Sequence, residues 1–424
     1  MEIYVVQPGD TLYSVALNFG VPMARLLEDN QLPNPARLVV GQTLVIQYPK
    51  TVHTVRQGES LTSIAAAYGT TALQLLRNNP GLGGLPDLVP GQKLVIDFQQ
   101  EREGALAVNG YAYPEIEEGL LRSTLPYLTQ IAPFTYGITA QGSLVPLQDE
   151  EILSAALGMG VQPLLHLSTL TDEGVFSNET AHVVLTDRQA QDRLVRQLMD
   201  TINQKGYRGL DIDFEFVYAQ DAGTYAAFVA RMREELFPLG LPVIVALAPK
   251  TSADQRGDLY EGHNYRLLAQ AADFVLLMTY EWGYTYGPPM AVAPLPNVRR
   301  VVEYALTEMP AGQIYLGIPN YGYDWTLPYR QGSRAQSISN QYAVELAARY
   351  GVAIRFDERA QSPWFRYTDE SGREHEVWFE DARSIRAKLA LTQEYGLYGV
   401  GYWNLMRPFP QNWRVLNSLH QILD

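Results

Sequence analysis

Residues 209–215 read Gly-Leu-Asp-Ile-Asp-Phe-Glu. Successive side chains of an extended strand point to opposite faces, so Asp211, Asp213 and Glu215 share one face and Leu210, Ile212 and Phe214 the other. Two rises along the strand put neighbours in the acidic row about 6.6 Å apart. Three carboxylates so placed repel one another and lose water, which a purely structural strand has little reason to accept. Acid catalysis does have a use for them. A general acid must keep its proton near neutral pH, and an adjacent negative charge raises its pKa. The competing reading is a solvated strand end or a cation site, but Ca²⁺ or Mg²⁺ needs further oxygen ligands from elsewhere. Glu215, last in the row, is the expected proton donor.

A row of this kind needs a rigid frame. Apolar runs at 105–111, 130–137, 160–166, 209–215, 242–248, 274–280, 313–320 and 398–403 read as strands, and amphipathic stretches such as 187–206, 224–235, 265–271 and 297–307 read as helices between them. Eight strands joined by crossovers predict an α/β fold, a (β/α)8 TIM barrel, with Glu215 at its C-terminal rim where bound molecules reach it. The connection before the last strand is too long for one helix, and about 322–385 reads as an α+β insertion on that rim. Met278-Thr279-Tyr280-Glu281 and Gly401-Tyr402-Trp403 end two other strands. A flat ring such as Trp403 can floor a cleft and exclude water, although each aromatic alone reads equally well as core. Further groove candidates are Asn109, Tyr111, Trp282, Tyr284, Asn320, Tyr321, Trp325 and Asn404, whereas Trp364 and Trp378 read as packing.

The first hundred residues contain a repeat. Val6-Gln7-Pro8-Gly9-Asp10-Thr11-Leu12 returns as Val55-Arg56-Gln57-Gly58-Glu59-Ser60-Leu61, and Asn30 returns as Asn79. Each copy reads as strand, turn, helix, helix, strand, with Asp10 as a helix cap and a core too small for much stability alone.

Composition removes several classes of function. A net charge of −14 argues against a nucleic-acid footprint, which needs a basic patch. Zero cysteines exclude disulfides and thiolate chemistry, and the six histidines show no short metal-ligand spacing, so neither metal nor cofactor is expected. No apolar stretch approaches the roughly 20 residues of a membrane span. The opening Met1-Glu2-Ile3-Tyr4-Val5-Val6 lacks the pattern of a classical signal peptide. Action outside a membrane would then follow lysis, an unusual route, or assembly inside a developing spore.

The repeat resembles the LysM family of modules that bind N-acetylglucosamine-containing polymers. The resemblance implies glycan-binding modules at 1–49 and 50–99, with grooves near Gly9, Asp10, Thr11, Asn30 and Gln31 and near Gly58, Glu59, Ser60, Asn79 and Pro80. Gly9, Gly58 and Asp10 read equally well as turn and cap formers. The acidic strand resembles the Asp-Gly-x-Asp-x-Asp-x-Glu signature of glycoside hydrolase family 18, the chitinase-like family, which implies a catalytic domain over 104–424. That likeness implies a retaining, substrate-assisted mechanism in which Glu215 is the acid, Asp213 orients the sugar's acetamido group, Asp211 tunes Asp213, Tyr280 and Glu281 bind that group, and Trp403 is the floor. Arg208, Phe214 and Glu281 depart from the family pattern. The LysM pair together with Met278-Thr279-Tyr280-Glu281-Trp282-Gly283-Tyr284 resembles the family's spore-germination branch, N-acetylglucosaminidases lytic toward cortex fragments. The implied partner is peptidoglycan and the implied location the spore coat or cortex. A chitinase and a catalytically silent wall-binding protein are the rival expectations; product analysis on cortex fragments beside chitin oligomers separates the first, and binding without release of reducing ends would mark the second.

Overall fold

The computed structural model describes residues 1–424 apart from 33, 140, 172, 173 and 424. Each repeat is a two-stranded antiparallel sheet with two helices: Glu2–Val5 pairs with Thr43–Ile46 around helices Leu12–Phe19 and Met23–Asn30. Pro49–Thr54 pairs with Lys93–Phe98 around Leu61–Tyr68 and Ala72–Asn78. Thr11, not Asp10, caps the first helix: its hydroxyl accepts from the Ser14 amide at 3.0 Å, and Ser60 does the same in the second copy with Ser63. A cap residue is extended and reaches the amide three residues on, so Asp10 stands one position too early. Its carboxylate instead closes the turn, accepting from the Tyr4 hydroxyl at 2.6 Å and the Gln7 amide at 2.7 Å. Glu59 repeats this with His53 and the Arg56 amide. Gly9 and Gly58 hold φ of +89° and +84°, the left-handed region that glycine enters without strain.

The small modules gain support by docking on the rest of the chain. The Asp29 carboxylate, buried in the first module, pairs with Arg25 and faces Arg414 of the last barrel helix at 3.9 Å. Gly41 lies so close to the insertion that a Cβ there would be 1.9 Å from the Ile354 carbonyl oxygen, and its φ is +88°. Gly41→Ala is therefore expected to lower stability by about 2–4 kcal/mol through combined backbone strain and overpacking. Thermal unfolding measures it; an unchanged melting temperature would mean that this contact is loose.

Parallel strands Gly104–Ala112, Gln130–Pro133, Leu165–Ser168, Leu210–Asp213, Val243–Leu247, Phe274–Leu277, Ile314–Pro319 and Gly399–Trp403 form the barrel. The third is broken at Leu164. Gln162–Pro163 pairs with the second strand and Leu165–Ser168 with the fourth, so one chain segment joins both sides of the ring. Leu210, Ile212 and Phe214 face the surrounding helices in the main core, while Ala107, Tyr111, Ala132, Leu164, Ile244, Leu276 and Tyr315 fill the barrel interior. The alternation predicted for the acidic strand is present. Between Gly322 and Trp378 a five-stranded antiparallel sheet stands on the rim, backed by helix Asn340–Tyr350, with its own core around Leu346, Phe365 and Val377. Val39 of the first module enters that core. No helix among the described residues is long and apolar enough to cross a membrane.

Candidate active site

Gly209 starts the acidic strand because a Cβ there would lie 2.7 Å from the Leu164 side chain and 2.9 Å from the Pro242 carbonyl. Asp211 and Asp213 follow inside the barrel, buried, while sheet pairing ends at Asp213 and leaves Glu215 half-buried on the segment beyond. That segment is held from behind. Phe214 stacks on Tyr225 at 5.3 Å and on Phe228 at 5.7 Å between ring centres, and the His263 ring meets its carbonyl at 2.9 Å.

Both oxygens of Asp211 and one of Asp213 lack a hydrogen bond. Burial raises Asp211 to about 7, while the Tyr111 hydroxyl, facing it outside hydrogen-bond geometry, favours its charged form. Asp213 is pushed well up by burial, then by the charges of Glu215 and Asp211. Glu215 is raised to about 7, first by burial and then by Glu281. Among the described residues no Lys or Arg pairs with the row. His166 lies with Nε2 3.7 Å from Asp213 and 4.0 Å from Asp211, but burial lowers it to about 3, so the ring is neutral. Glu215 therefore retains its proton near neutrality, as acid catalysis requires.

The segment just after Phe274–Leu277 carries Tyr280 and the end of Gly399–Trp403 carries Trp403 to the same rim. Tyr280 is raised by burial, then by Asp213 and Glu215, so its hydroxyl stays a donor. Trp403 packs against Phe134 at 4.8 Å, Tyr111 at 5.7 Å and Tyr113 at 6.1 Å between ring centres. Glu281 has φ of +67°, and its carboxylate accepts from the Tyr321 hydroxyl and, at 3.1 Å, from that of Tyr323. His166, Tyr113, Phe134 and Thr135, which bonds His166 Nδ1 at 2.6 Å, had no local motif to mark them. Only the register of His166 beside Asp211 reveals them.

Other predicted positions serve different ends. Asn109 is fully buried beneath the site, and Tyr111 is turned to Asp211, so neither presents its polar atoms to an open groove. Asn320 is a loop staple, donating to the carbonyls of Asn404 and Arg407 at 2.8 Å each. Trp325 is core and donates to the Gly287 carbonyl at 2.8 Å. Trp282 lines a separate cavity of about 280 Å³ with Tyr260, Asn297 and Arg300. Tyr284 is exposed, and Trp364 stacks on Trp378 at 5.6 Å. Arg208 is exposed and makes no ion pair among the described residues.

In the modules, Gly9, Asp10, Thr11 and Gly58, Glu59, Ser60 form the two turns already described. Asn30 and Asn79 are buried staples: each donates to a helix carbonyl and exchanges two bonds with the closing strand, at Val45 and Val95. These bonds consume their amides, and Asn30 also lines a cavity between its module and the barrel, where it accepts from Gln411 at 3.0 Å. Gln31 and Pro80 line a small cavity against the barrel that also touches Trp413.

Residues 175–407 match the family described as Glycosyl hydrolases family 18, and 4–47 and 53–97 match the LysM domain. The chain is 40% identical to the cortical fragment-lytic enzyme of Bacillus subtilis (strain 168), over 100% of this chain and 99% of that one. With its namesake from Bacillus anthracis the identity is 37% over 98% and 97%. The crystal structure of the spore cortex-lytic enzyme SleL from Bacillus megaterium QM B1551 superposes with a TM-score of 0.84 at 38% identity, covering 99% of this chain and 98% of that chain. The Bacillus cereus SleL structure gives 0.84 at 37%, covering 100% and 98%. Two LysM segments and a hydrolase barrel imply glycan binding. A match over more than half its length, with relatives this similar from end to end, shows that the chain belongs to glycosyl hydrolase family 18.

Proposed function

We propose that this enzyme hydrolyses β-1,4 bonds after N-acetylglucosamine in bacterial peptidoglycan, acting on spore cortex fragments during germination in association with the spore. The observation that carries the reading is Glu215 at the rim, with its pKa raised to about 7 beside Asp213 and Tyr280. Glu215 gives its proton to the glycosidic oxygen as the acetamido carbonyl oxygen of the same sugar attacks the anomeric carbon. The leaving sugar departs as an alcohol and a cyclic oxazolinium forms. Asp213 orients the amide and balances its positive charge, Asp211 tunes Asp213, and Tyr280 donates to the attacking carbonyl. Glu215, now a carboxylate, takes a proton from water, which opens the ring with overall retention. Residues 1–49 and 50–99 act as glycan-binding modules, 104–424 as the catalytic domain, and the insertion at about 322–385 walls one side of the groove. The names of the full-length relatives support the cortex substrate. Mass spectrometry of digests of defined cortex fragments tests it: products ending in reducing N-acetylglucosamine are expected, and preferential cutting of chitin oligomers would transfer the assignment to a chitinase.

The protonated acid predicts the pH profile. Because Glu215 must hold its proton, kcat/KM is expected to fall about tenfold per pH unit above about 7, in line with its raised value. Glu281→Gln removes a negative charge that raises Glu215, so the alkaline limb should move to lower pH. A limb at the ordinary glutamate value in the unsubstituted enzyme would mean that Glu215 is hydrated and is not the acid.

A further inference from the structure

The second module is clamped to the barrel. Gln74 donates to Asn78 at 2.8 Å and to Asn417 at 3.0 Å, and Asn417 donates to Asn78 at 3.0 Å. The Tyr127 hydroxyl donates to the Arg77 carbonyl at 2.9 Å. At Gly84 a Cβ would lie 2.0 Å from the Arg122 carbonyl, so the backbones touch. A groove between units fixed in this way is formed before anything binds, which removes an ordering cost from binding.

Such a groove is present, with a volume of about 790 Å³, within the range of ligand sites. Thr62, Leu73 and Pro86 of the module form one wall, and Pro114, Ser154 and Gly158 of the barrel belong to the other. Leu61 and Thr62, which line it, directly follow the Gly58–Ser60 turn. Pro114, which also lines it, is next in sequence to Tyr113, whose ring packs on Trp403 at 6.1 Å. Leu73 and the two prolines suit the C–H faces of a pyranose, and the hydroxyls of Thr62 and Ser154 suit its polar edge. Glu118, Glu150 and Glu151 also line the groove, and although Arg122, which lines it too, pairs with Glu118 at 2.8 Å, the acids outnumber it and disfavour an anionic strand.

We propose that this groove is a glycan-binding site shared by the second LysM module and the barrel wall, taking an uncharged N-acetylhexosamine strand. It deepens the peptidoglycan-hydrolase reading and rests on it. The module then anchors the strand against the barrel itself, unlike a module on a flexible tether.

Sedimentation of full-length Glu215→Gln protein with insoluble chitin tests the groove, because that background leaves the polymer intact. Gly158 and Ser154 are exposed on a helix, and a Cβ at Gly158 meets nothing within 4 Å, so Gly158→Trp and Ser154→Trp fill the groove without entering the core. Both are expected to weaken retention about fivefold or more, and Gly158→Ala to leave it unchanged. Melting temperatures equal to the parent's verify the fold. If both tryptophan variants fold and hold chitin as the parent does, the groove binds no glycan. Reducing ends released by the unsubstituted enzyme are scored on the same polymer, so a failure of catalysis is read separately from a failure of retention.

Discussion

Replacing Glu215 by glutamine is expected to reduce turnover of cortex glycan about 10²–10⁴-fold, the range contributed by a positioned proton donor. The side chain makes no hydrogen bond among the described residues and is half-buried, so the amide leaves no partner stranded. Binding to polymer and the melting temperature should stay near those of the unsubstituted enzyme. The loss should appear in kcat, because the proton moves only in the transition state. A variant that retains normal turnover on purified glycan would show that the acid lies elsewhere.

Asp213→Asn should have an effect of similar size, with a second readout of opposite sign. An aspartate about 4 Å from a positive oxazolinium is worth about 4 kcal/mol at an effective dielectric constant of 20, or roughly 10³-fold in rate. Asparagine keeps the volume and loses the charge. The same change should stabilise the fold, because Asp213 is buried with one oxygen unpartnered and pays to ionise there. An acid whose folded pKa is raised holds its proton below its unfolded value and loses stability as pH rises through the folded one. The gain in melting temperature should therefore be absent at low pH and grow towards neutrality. A fall in both kcat and melting temperature would mean that Asp213 supports structure and that its catalytic role is secondary.

Legibility differed by residue. The row Asp211, Asp213, Glu215 was readable because strand periodicity is local, and the split of Leu210, Ile212 and Phe214 to the opposite face follows from the same rule. Trp403 was readable because it ends a strand, and Tyr280 because it follows one by three residues. His166 was not. It reaches the acids from another strand, in register with Asp211, and parallel register is set by barrel closure. The structural roles of Asn30, Asn79 and Asn320 are hidden for a related reason: a polar residue near a turn looks available until its backbone partners are known.

Sequence alone determined the chemistry that the acidic strand could perform, the order of the barrel strands and the doubling of the N-terminal unit, because each depends on neighbours a few residues apart. Tertiary structure decided the protonation of the row and the pose of the modules. Burial, which sets the pKa of Glu215, and the amide bridge from Gln74 through Asn78 to Asn417 both depend on surfaces hundreds of residues apart in the chain. No local pattern records which distant surface will exclude the water.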